Sequence, residues 1–592
     1  MIPNPLTRRT FLKSAAAATA LANAPLLASA PPRELLQQLP YSAVTLTGGP
    51  FKEHYDRIHA HYLALSNDRL LKVYRQRAGL PSPGADMGGW YDLDGFVPGH
   101  TLGQYISGLA RIGASTGDGA CHDKVRELVA GFAATLGPDN QSILRPKTNL
   151  WTCYTLDKHF AGLIDAATLS KVKDAPDLLN RVLAGSQALL PAQGRDRIGK
   201  KDPPYDETYV MPENLFTAAE LTGNPAFSDL ARRYLLDKEL FNPLANGDDP
   251  FPGQHAYSHA IALSSGAKAY LTLGDTRYLK ALQNAFTLLT TTQQFASGGW
   301  GPNETFVTPH KGELCASLSS TVDHFETPCG AYAATKLARY LLRFTADPRY
   351  GDNLERVLYN TILAARHPDS DGDYPYYSTY SPTATKVFYQ RKWPCCSGTL
   401  VQTVADYVLN LYFQSPDGLF VNLYTPSTAT VTHRGVAVTI AQRTQFPASE
   451  RIVFTVDPAM RIDFNLTLRI PTWTTRPTLV LNGQPYPIKP GPIASIHRAW
   501  APGDTLELTL PQTFRTEPID DRNPSVVALV RGPVEYVALN FTGDKPNPLN
   551  QPRPTLNRDL KPSSSQTYTS ANQIFVPLHT IQSETYDTYF NL

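Results

Sequence analysis

The sequence predicts a mainly α chain, an (α/α)6 barrel followed by one or two C-terminal β-sandwich domains. Two observations carry this expectation. From about His54 to Phe413 apolar residues recur at three- and four-residue spacing, and amphipathic stretches alternate with short stops. Beyond Pro416-Asp417-Gly418 the period becomes two. A helix–stop–helix rhythm sustained this long marks a helical array, and the (α/α)6 barrel is a natural closed form of such an array. The alternating β-runs of a TIM barrel are missing.

Within the array, Leu102, Tyr105, Ile106, Leu109 and Ala110 set one face of a helix. The stops share a pattern: Thr116-Gly117-Asp118, Thr222-Gly223-Asn224, Leu273-Gly274-Asp275 and Thr345-Ala346-Asp347. In each, Gly or a polar residue ends one amphipathic stretch before the next begins. Period-two runs follow at Leu419–Tyr424, Val436–Ile440, Arg451–Val456, Phe464–Ile470, Thr478–Leu481, Thr505–Leu510 and Val526–Val530. Their Gly, Pro and Asn punctuation suits β-sandwiches. The Pro-, Asn- and Ser-rich tail after Thr542 reads as loop or partly disordered.

The first thirty residues read as a signal. Thr7-Arg8-Arg9-Thr10-Phe11-Leu12-Lys13 leads into an Ala- and Leu-rich run and then Ala28-Ser29-Ala30, a small-residue cleavage site. Paired arginines before a moderately apolar run mark the twin-arginine route, which places the mature protein in the periplasm or outside the cell. The run is too short and too Ala-rich for a membrane anchor, so no membrane association is expected of the mature form. The division is 1–30 signal, 31–415 helical barrel and 416–592 β-sandwich with an irregular tail. A homodimer through the β-domains is left open.

Net charge is +2 with acids and bases nearly balanced, which gives no electrostatic footprint for nucleic acid. Thirty Tyr and 24 Phe suit a sugar-binding cleft, and suit packing in helical arrays and sandwiches equally. Six cysteines are too few for a disulfide framework in a chain of this size. A bond between adjacent Cys395 and Cys396 would be strained, so the pair reads more as ligands than as a staple.

The sharpest chemical signal is Lys392-Trp393-Pro394-Cys395-Cys396-Ser397-Gly398, whose Pro and Gly place the cysteines on a loop rather than inside a helix. A second fragment, His324-Phe325-Glu326-Thr327-Pro328-Cys329-Gly330, leads into a helix over Ala331–Phe344, and a helix N-terminus favours a thiolate at Cys329. Three sulfurs and a carboxylate are enough for tetrahedral zinc. On spacing alone, buried free thiols remain an equal alternative.

These stretches resemble glycoside hydrolase family 127, the β-L-arabinofuranosidase family, or a close sister group. Further matches are Gly99-His100-Thr101-Leu102-Gly103, Tyr154-Thr155-Leu156-Asp157-Lys158, Gly298-Gly299-Trp300-Gly301-Pro302-Asn303-Glu304, and Tyr359-Asn360-Thr361. The resemblance runs from about Thr45 to beyond Val530 and implies an (α/α)6 barrel with β-sandwich domains. It also implies Zn2+ held by Glu326, Cys329, Cys395 and Cys396, with Cys395 as the nucleophile and Glu304 as the general acid/base. His255 and Tyr377 are implied as substrate contacts. The reaction implied is retaining hydrolysis of a terminal β-L-arabinofuranosyl or related sugar from a plant-type oligosaccharide or glycan.

Two positions depart from the family pattern. The Glu-x-Cys spacing is one residue longer at Glu326-Thr327-Pro328-Cys329, while Glu313-Leu314-Cys315 keeps the shorter form. The helix after Cys329 matches the family in phase, which favours Glu326. Asp157 stands where the family usually has a histidine, which bears on the substrate. Alternative readings are another (α/α)6 carbohydrate enzyme, such as a lyase or unsaturated-uronyl hydrolase, and a non-catalytic glycan-binding protein.

Overall fold

In the computed structural model, each stop in the helical text ends one helix and caps the next. The structure describes residues 33–140, 151–195, 206–365, 371–389, 391–540, 560–564, 566–570 and 573–591. The putting-together of two capping devices in three residues is visible at Gly117, which takes a left-handed φ of 73° after Leu102–Thr116. The Asp118 side chain then accepts from the Ala120 N–H to open Gly119–Ala133. Gly223 with Asn224, and Gly274 with Asp275, repeat the device. Ala346 takes the left-handed position in the fourth stop, and Asp347 Oδ1 accepts from Arg349 N at 3.0 Å. Each polar cap is worth about 1 kcal/mol.

The helices close into a barrel. Leu102–Thr116 packs on Thr152–Thr168, which packs on Pro212–Thr222, then Ala256–Leu273, Thr327–Thr345 and Cys395–Ala405, and this last returns to Leu102–Thr116. Each of these six inner helices has an outer partner: Gly119–Ala133, Ala175–Ser186, Pro225–Tyr234, Thr276–Leu288, Arg349–Val357 and Gly49–Ala64 respectively. The inner helices are buried nearly all round, as in Ala256–Leu273, where Ser258, His259, Ser264 and Ser265 are buried beside the apolar residues. This is the (α/α)6 arrangement expected from the sequence. No helix among the described residues is long and apolar enough to cross a membrane.

The remainder is sheet. A five-stranded sheet contains Ile462–Arg469 between Gly418–Val421 and Ile493–Trp500, and a seven-stranded sheet is built around Arg451–Pro458 and Val436–Thr444. Alternation of buried and exposed residues is strict in Arg451–Pro458, where Ile452, Phe454 and Val456 point into the core. An eight-stranded sheet follows, centred on Val526–Arg531 and Val534–Asn540.

One expectation needs correction, and one pair of strands stands where no reading was made. The tail is not all loop: Gln573–Pro577, Thr585–Asp587 and Tyr589–Asn591 pair with Val534–Asn540 or Val526–Arg531. Aromatic anchoring explains this, since the Tyr589 hydroxyl accepts from Ala296 N at 2.9 Å despite the polar composition around it. The segment before the first helix is also β: Gln37–Gln38 pairs with Tyr412–Ser415, and Val44–Leu46 with Ser427–His433. The signal stretch 1–30 lies outside the described residues.

Buried ion pairs join helices to sheets. Arg469 on its strand is fully buried, reaching Glu355 Oε1 at 2.7 Å and also Asp352, both on Arg349–Val357. Trp473 Nε1 donates to the other Glu355 oxygen at 2.8 Å. With its partners removed such an arginine would cost several kcal/mol, so the pairing fixes how the sheet sits on the barrel.

Candidate active site

One end of the inner ring collects the chemistry. Val97 precedes Leu102–Thr116, and Tyr154 lies in the first turn of Thr152–Thr168. Glu207 precedes Pro212–Thr222, and His255 is the N-cap of Ala256–Leu273. Glu326 is the N-cap of Thr327–Thr345, and Cys395 is the first residue of Cys395–Ala405. All six residues line one cavity of about 250 Å³, walled by Trp90, Phe96, Trp151 and Tyr389. The N-terminal ends of the six inner helices thus converge on it, and their partial positive charge favours thiolates and carboxylates there.

The cysteine pair is not on a loop. Pro394 caps the helix with φ −67° and ψ 173°, and Cys395 and Cys396 form its first turn. Proline suits this position because it needs no N–H partner. Gly398 is inside the helix for packing: a Cβ there would stand 2.1 Å from Gln104 Oε1. Glu326 ends a two-residue strand paired with Tyr377–Ser378, and the chain turns directly into helix at Thr327. The longer Glu-to-Cys spacing is absorbed by that turn, which brings Cys329 round to face the pair.

Cys329 Sγ lies 3.5 Å from Cys395 Sγ and 3.4 Å from Cys396 Sγ. Cys395 Sγ is 3.5 Å from Glu326 Oε1. All four residues are buried, and Glu326 Oε2 is buried with no hydrogen-bond partner among the described residues. All six cysteines are free. Burial opposes charge on every member of the cluster, yet hydrogen bonds from Cys329 and Cys396 draw the Cys395 thiol well below its ordinary value. Burial pushes Cys329 and Cys396 well above theirs. The four groups form a site able to hold a metal ion. Cys315 and Glu313 stand elsewhere: Glu313 lines a separate cavity of about 370 Å³ with Thr290 and Asp520, and its carboxylate accepts from Thr308 N.

Glu304 faces the cluster across the cavity. Its carboxylate, the His255 imidazole and the Glu326 carboxylate lie within 4.8 Å of one another. Tyr377 and Tyr376 hydroxyls both donate to Glu304 Oε1, at 2.8 and 3.0 Å, and the Tyr376 hydroxyl is also 3.8 Å from Cys395 Sγ. His255 Nδ1 accepts from Ser258 N at 3.3 Å, which leaves the ring proton on Nε2, 3.6 Å from Glu304 Oε2. Tyr377 therefore holds the carboxylate as well as lining the cavity, and the His255 imidazole stands beside it. Asn303 and Glu304 have φ of 53° and 58°, a strained pair of non-glycine residues costing of order 1–3 kcal/mol each. Gly301 seats this loop, since a Cβ there would stand 2.3 Å from Ala256 Cβ.

Asp157 is not in the cavity wall. Its Oδ1 accepts from Asn214 Nδ2 at 2.8 Å, and burial raises its pKa to about 6. Burial also brings neighbouring Lys158, stacked over the Tyr154 ring, down to about 8. Sequence reasoning missed Glu207, Tyr376, Tyr389, Arg391, Trp90 and Trp151. For Glu207 a signal existed, because it sits just ahead of an inner helix as His255 and Glu326 do.

Comparison with known proteins agrees with the fold. The family model described as β-L-arabinofuranosidase, GH127 catalytic domain, matches residues 43–408, and the GH127 middle-domain model matches 418–512. A GH127 β-L-arabinofuranosidase from Geobacillus stearothermophilus T6 superposes with a TM-score of 0.71 at 18% identity, covering 93% of this chain and 99% of that one. A second solved GH127 β-arabinofuranosidase gives 0.72 at 17% identity, covering 95% of this chain and 98% of its own. At such identities the likeness is one of fold. No curated protein matches the chain.

Proposed function

The chain belongs to glycoside hydrolase family 127, and on that premise we propose that it is a retaining, zinc-thiolate glycosidase releasing terminal β-L-arabinofuranosyl or closely related sugars from plant-type glycans. The observation that carries this reading is a three-cysteine, one-glutamate cluster whose Cys395 and Glu326 line the same cavity as Glu304, with the Tyr376 hydroxyl between Cys395 and Glu304.

Zinc fits the donor set. Cys329, Cys395 and Cys396, whose sulfurs lie 3.4 and 3.5 Å from that of Cys329, would offer it three thiolates, a donor set zinc favours. Glu326, whose Oε2 is buried without a hydrogen-bond partner among the described residues, would supply the carboxylate. When bound, zinc keeps the thiols deprotonated at neutral pH.

The chain's own groups then divide the work. Cys395 Sγ attacks the anomeric carbon while the glycosidic C–O bond breaks, and protonated Glu304 gives its proton to the leaving oxygen. Water next attacks the same carbon, Glu304 takes its proton, and the C–S bond breaks to release the sugar and restore Cys395. Two inversions return the original configuration. The Tyr376 and Tyr377 hydroxyls hold Glu304 in place, and Trp90, Phe96 and Trp151 line the cavity that would take the sugar. Export by the twin-arginine route is part of the proposal, supported by Arg8-Arg9 and Ala28-Ser29-Ala30. That route carries folded proteins, so the thiolate cluster would be filled in a reducing compartment before it meets an oxidising one.

Metal content and thiol titration of the purified mature protein test the reading. About one zinc per chain, with three thiols becoming titratable on chelation and β-L-arabinofuranoside hydrolysis lost with the metal, is expected. Metal-free protein with all cysteines freely titratable in the folded state, or full activity after chelation, would overturn it.

A further inference from the structure

A second cavity of about 250 Å³ adjoins the one holding Cys395, and the two share Tyr376, Tyr377, Tyr389 and Arg391. Glu304 and Cys395 line the first and not the second. The shared wall is the pair of tyrosines whose hydroxyls donate to Glu304 Oε1. The loop bearing Glu304 is also tied to the second cavity, since Asn303 N donates to the Asp323 carbonyl at 2.7 Å.

This placement has a direction. In double displacement the nucleophile approaches the anomeric carbon from one face, and the leaving oxygen departs beside the acid. With Cys395 confined to the first cavity and Glu304 at the boundary, whatever the leaving oxygen carries extends past Tyr376 and Tyr377 into the second. That second cavity is lined by Val322, Val387 and Phe388, which are 57%, 51% and 38% exposed. Exposed apolar side chains gathered around one cavity give an apolar group in it surface to bury. Asp323, Thr379 and Arg391 complete the lining with polar groups.

We infer that the second cavity is the leaving-group subsite and takes an aglycone presenting an apolar ring, aromatic in preference to a further sugar. This rests on the hydrolytic reading above. The sugar released is set by the first cavity, and the group it is released from is selected by Phe388, Val387 and Val322.

Benzyl and methyl β-L-arabinofuranosides separate binding from chemistry, because both release alcohols of nearly equal acidity. The benzyl glycoside is expected to have a kcat/KM about tenfold higher, with most of the gain in KM. In the Val387→Ser/Phe388→Ser variant the benzyl-to-methyl ratio is expected to fall to about two or below. An arabinofuranosyl disaccharide measured alongside should fall below the benzyl glycoside in kcat/KM. Equal kcat/KM for benzyl and methyl, a ratio unmoved by the double substitution, or a disaccharide preferred over both would overturn the subsite and leave the hydrolytic reading standing. Hydrolysis of none of the three would overturn that reading and the subsite with it.

Discussion

Cys395→Ser lowers turnover by about ten-thousand-fold or more, whereas Cys121→Ser leaves it within about twofold of the parent enzyme. The contrast is physical. Cys395 sits in a fully buried cluster whose other thiols donate to it, in the first turn of an inner helix and on the wall of the cavity that also contains Glu304. Cys121 packs against His59, its Sγ 3.2 Å from Nε2, and burial pushes its thiol up to about 12. A serine hydroxyl at 395 is a far weaker nucleophile at neutral pH. Cys396→Ser serves as the comparison that alters the metal site alone: metal affinity falls in both variants, but only Cys395→Ser stays inactive under saturating zinc. Glu304→Ala gives the complementary signature. With an activated aryl arabinofuranoside its first step survives and its second is slowed, so the intact mass of the protein should rise by one pentosyl residue, mapping to Cys395 after proteolysis. Wild-type rates for Cys395→Ser, or a label on another residue, would remove the cysteine-nucleophile mechanism.

Much of the helical half was readable because its signals are local. The Gly-Asp and Gly-Asn stops at 117–118, 223–224 and 274–275 are capping devices whose chemistry lies within a few residues, so their meaning survives without tertiary context. Closure of the ring is different. The contact of Cys395–Ala405 with Leu102–Thr116 joins segments nearly three hundred residues apart, and no periodicity encodes it. The strands at 37–38 and 44–46 are too short to show a period, and only their partners at 412–415 and 427–433 define them.

The site divides the same way. Its cysteines were legible as a candidate site because an adjacent Cys pair is a poor disulfide and the surrounding motifs resemble the family; spacing alone left buried thiols as an equal reading. Their local structure was not, because Pro394 and Gly398 punctuate the text like a loop. Pro394 is instead a helix cap, and Gly398 is a point of close approach to Gln104. Tyr376, Trp90 and Glu207 carry no motif. They reach the cavity because a strand pairing, a loop and a helix N-terminus are delivered there by the barrel. The resemblance located His255 and Tyr377 but described them only as substrate contacts. The hydrogen bond from Tyr377 to Glu304, and the approach of His255 to it, are distances that no sequence states.

Far from the active site, Glu535→Gln raises stability by about 3 kcal/mol at pH 7, and the gain vanishes near pH 4. Glu535 lies on Val534–Asn540, is fully buried, and has neither carboxylate oxygen hydrogen-bonded among the described residues. Desolvation, with a smaller contribution from Glu517, raises its pKa to about 8 against the pull of Arg356. A carboxyl raised in the folded state contributes its full stability below the unfolded value, near 4.5, and loses it as pH climbs through that of the folded state. Between about pH 4.5 and 8 the unfolded chain ionises while the native one holds its proton, so wild-type stability falls across that window. Glutamine keeps the shape and cannot ionise, so it removes the slope. Glu517 works in the opposite direction: against the desolvation that raises it, Arg356 and Arg515 pull it down to about 2, and its contribution is lost as pH falls from about 4.5 toward 2. These two carboxylates beside one arginine set opposite limbs of the stability profile at the junction of barrel and third sheet. Denaturant unfolding from pH 4 to 8, followed by tyrosine fluorescence, reads the difference directly. Parallel profiles for wild type and Glu535→Gln would mean that Glu535 is ionised in the native protein, its charge compensated by Arg356.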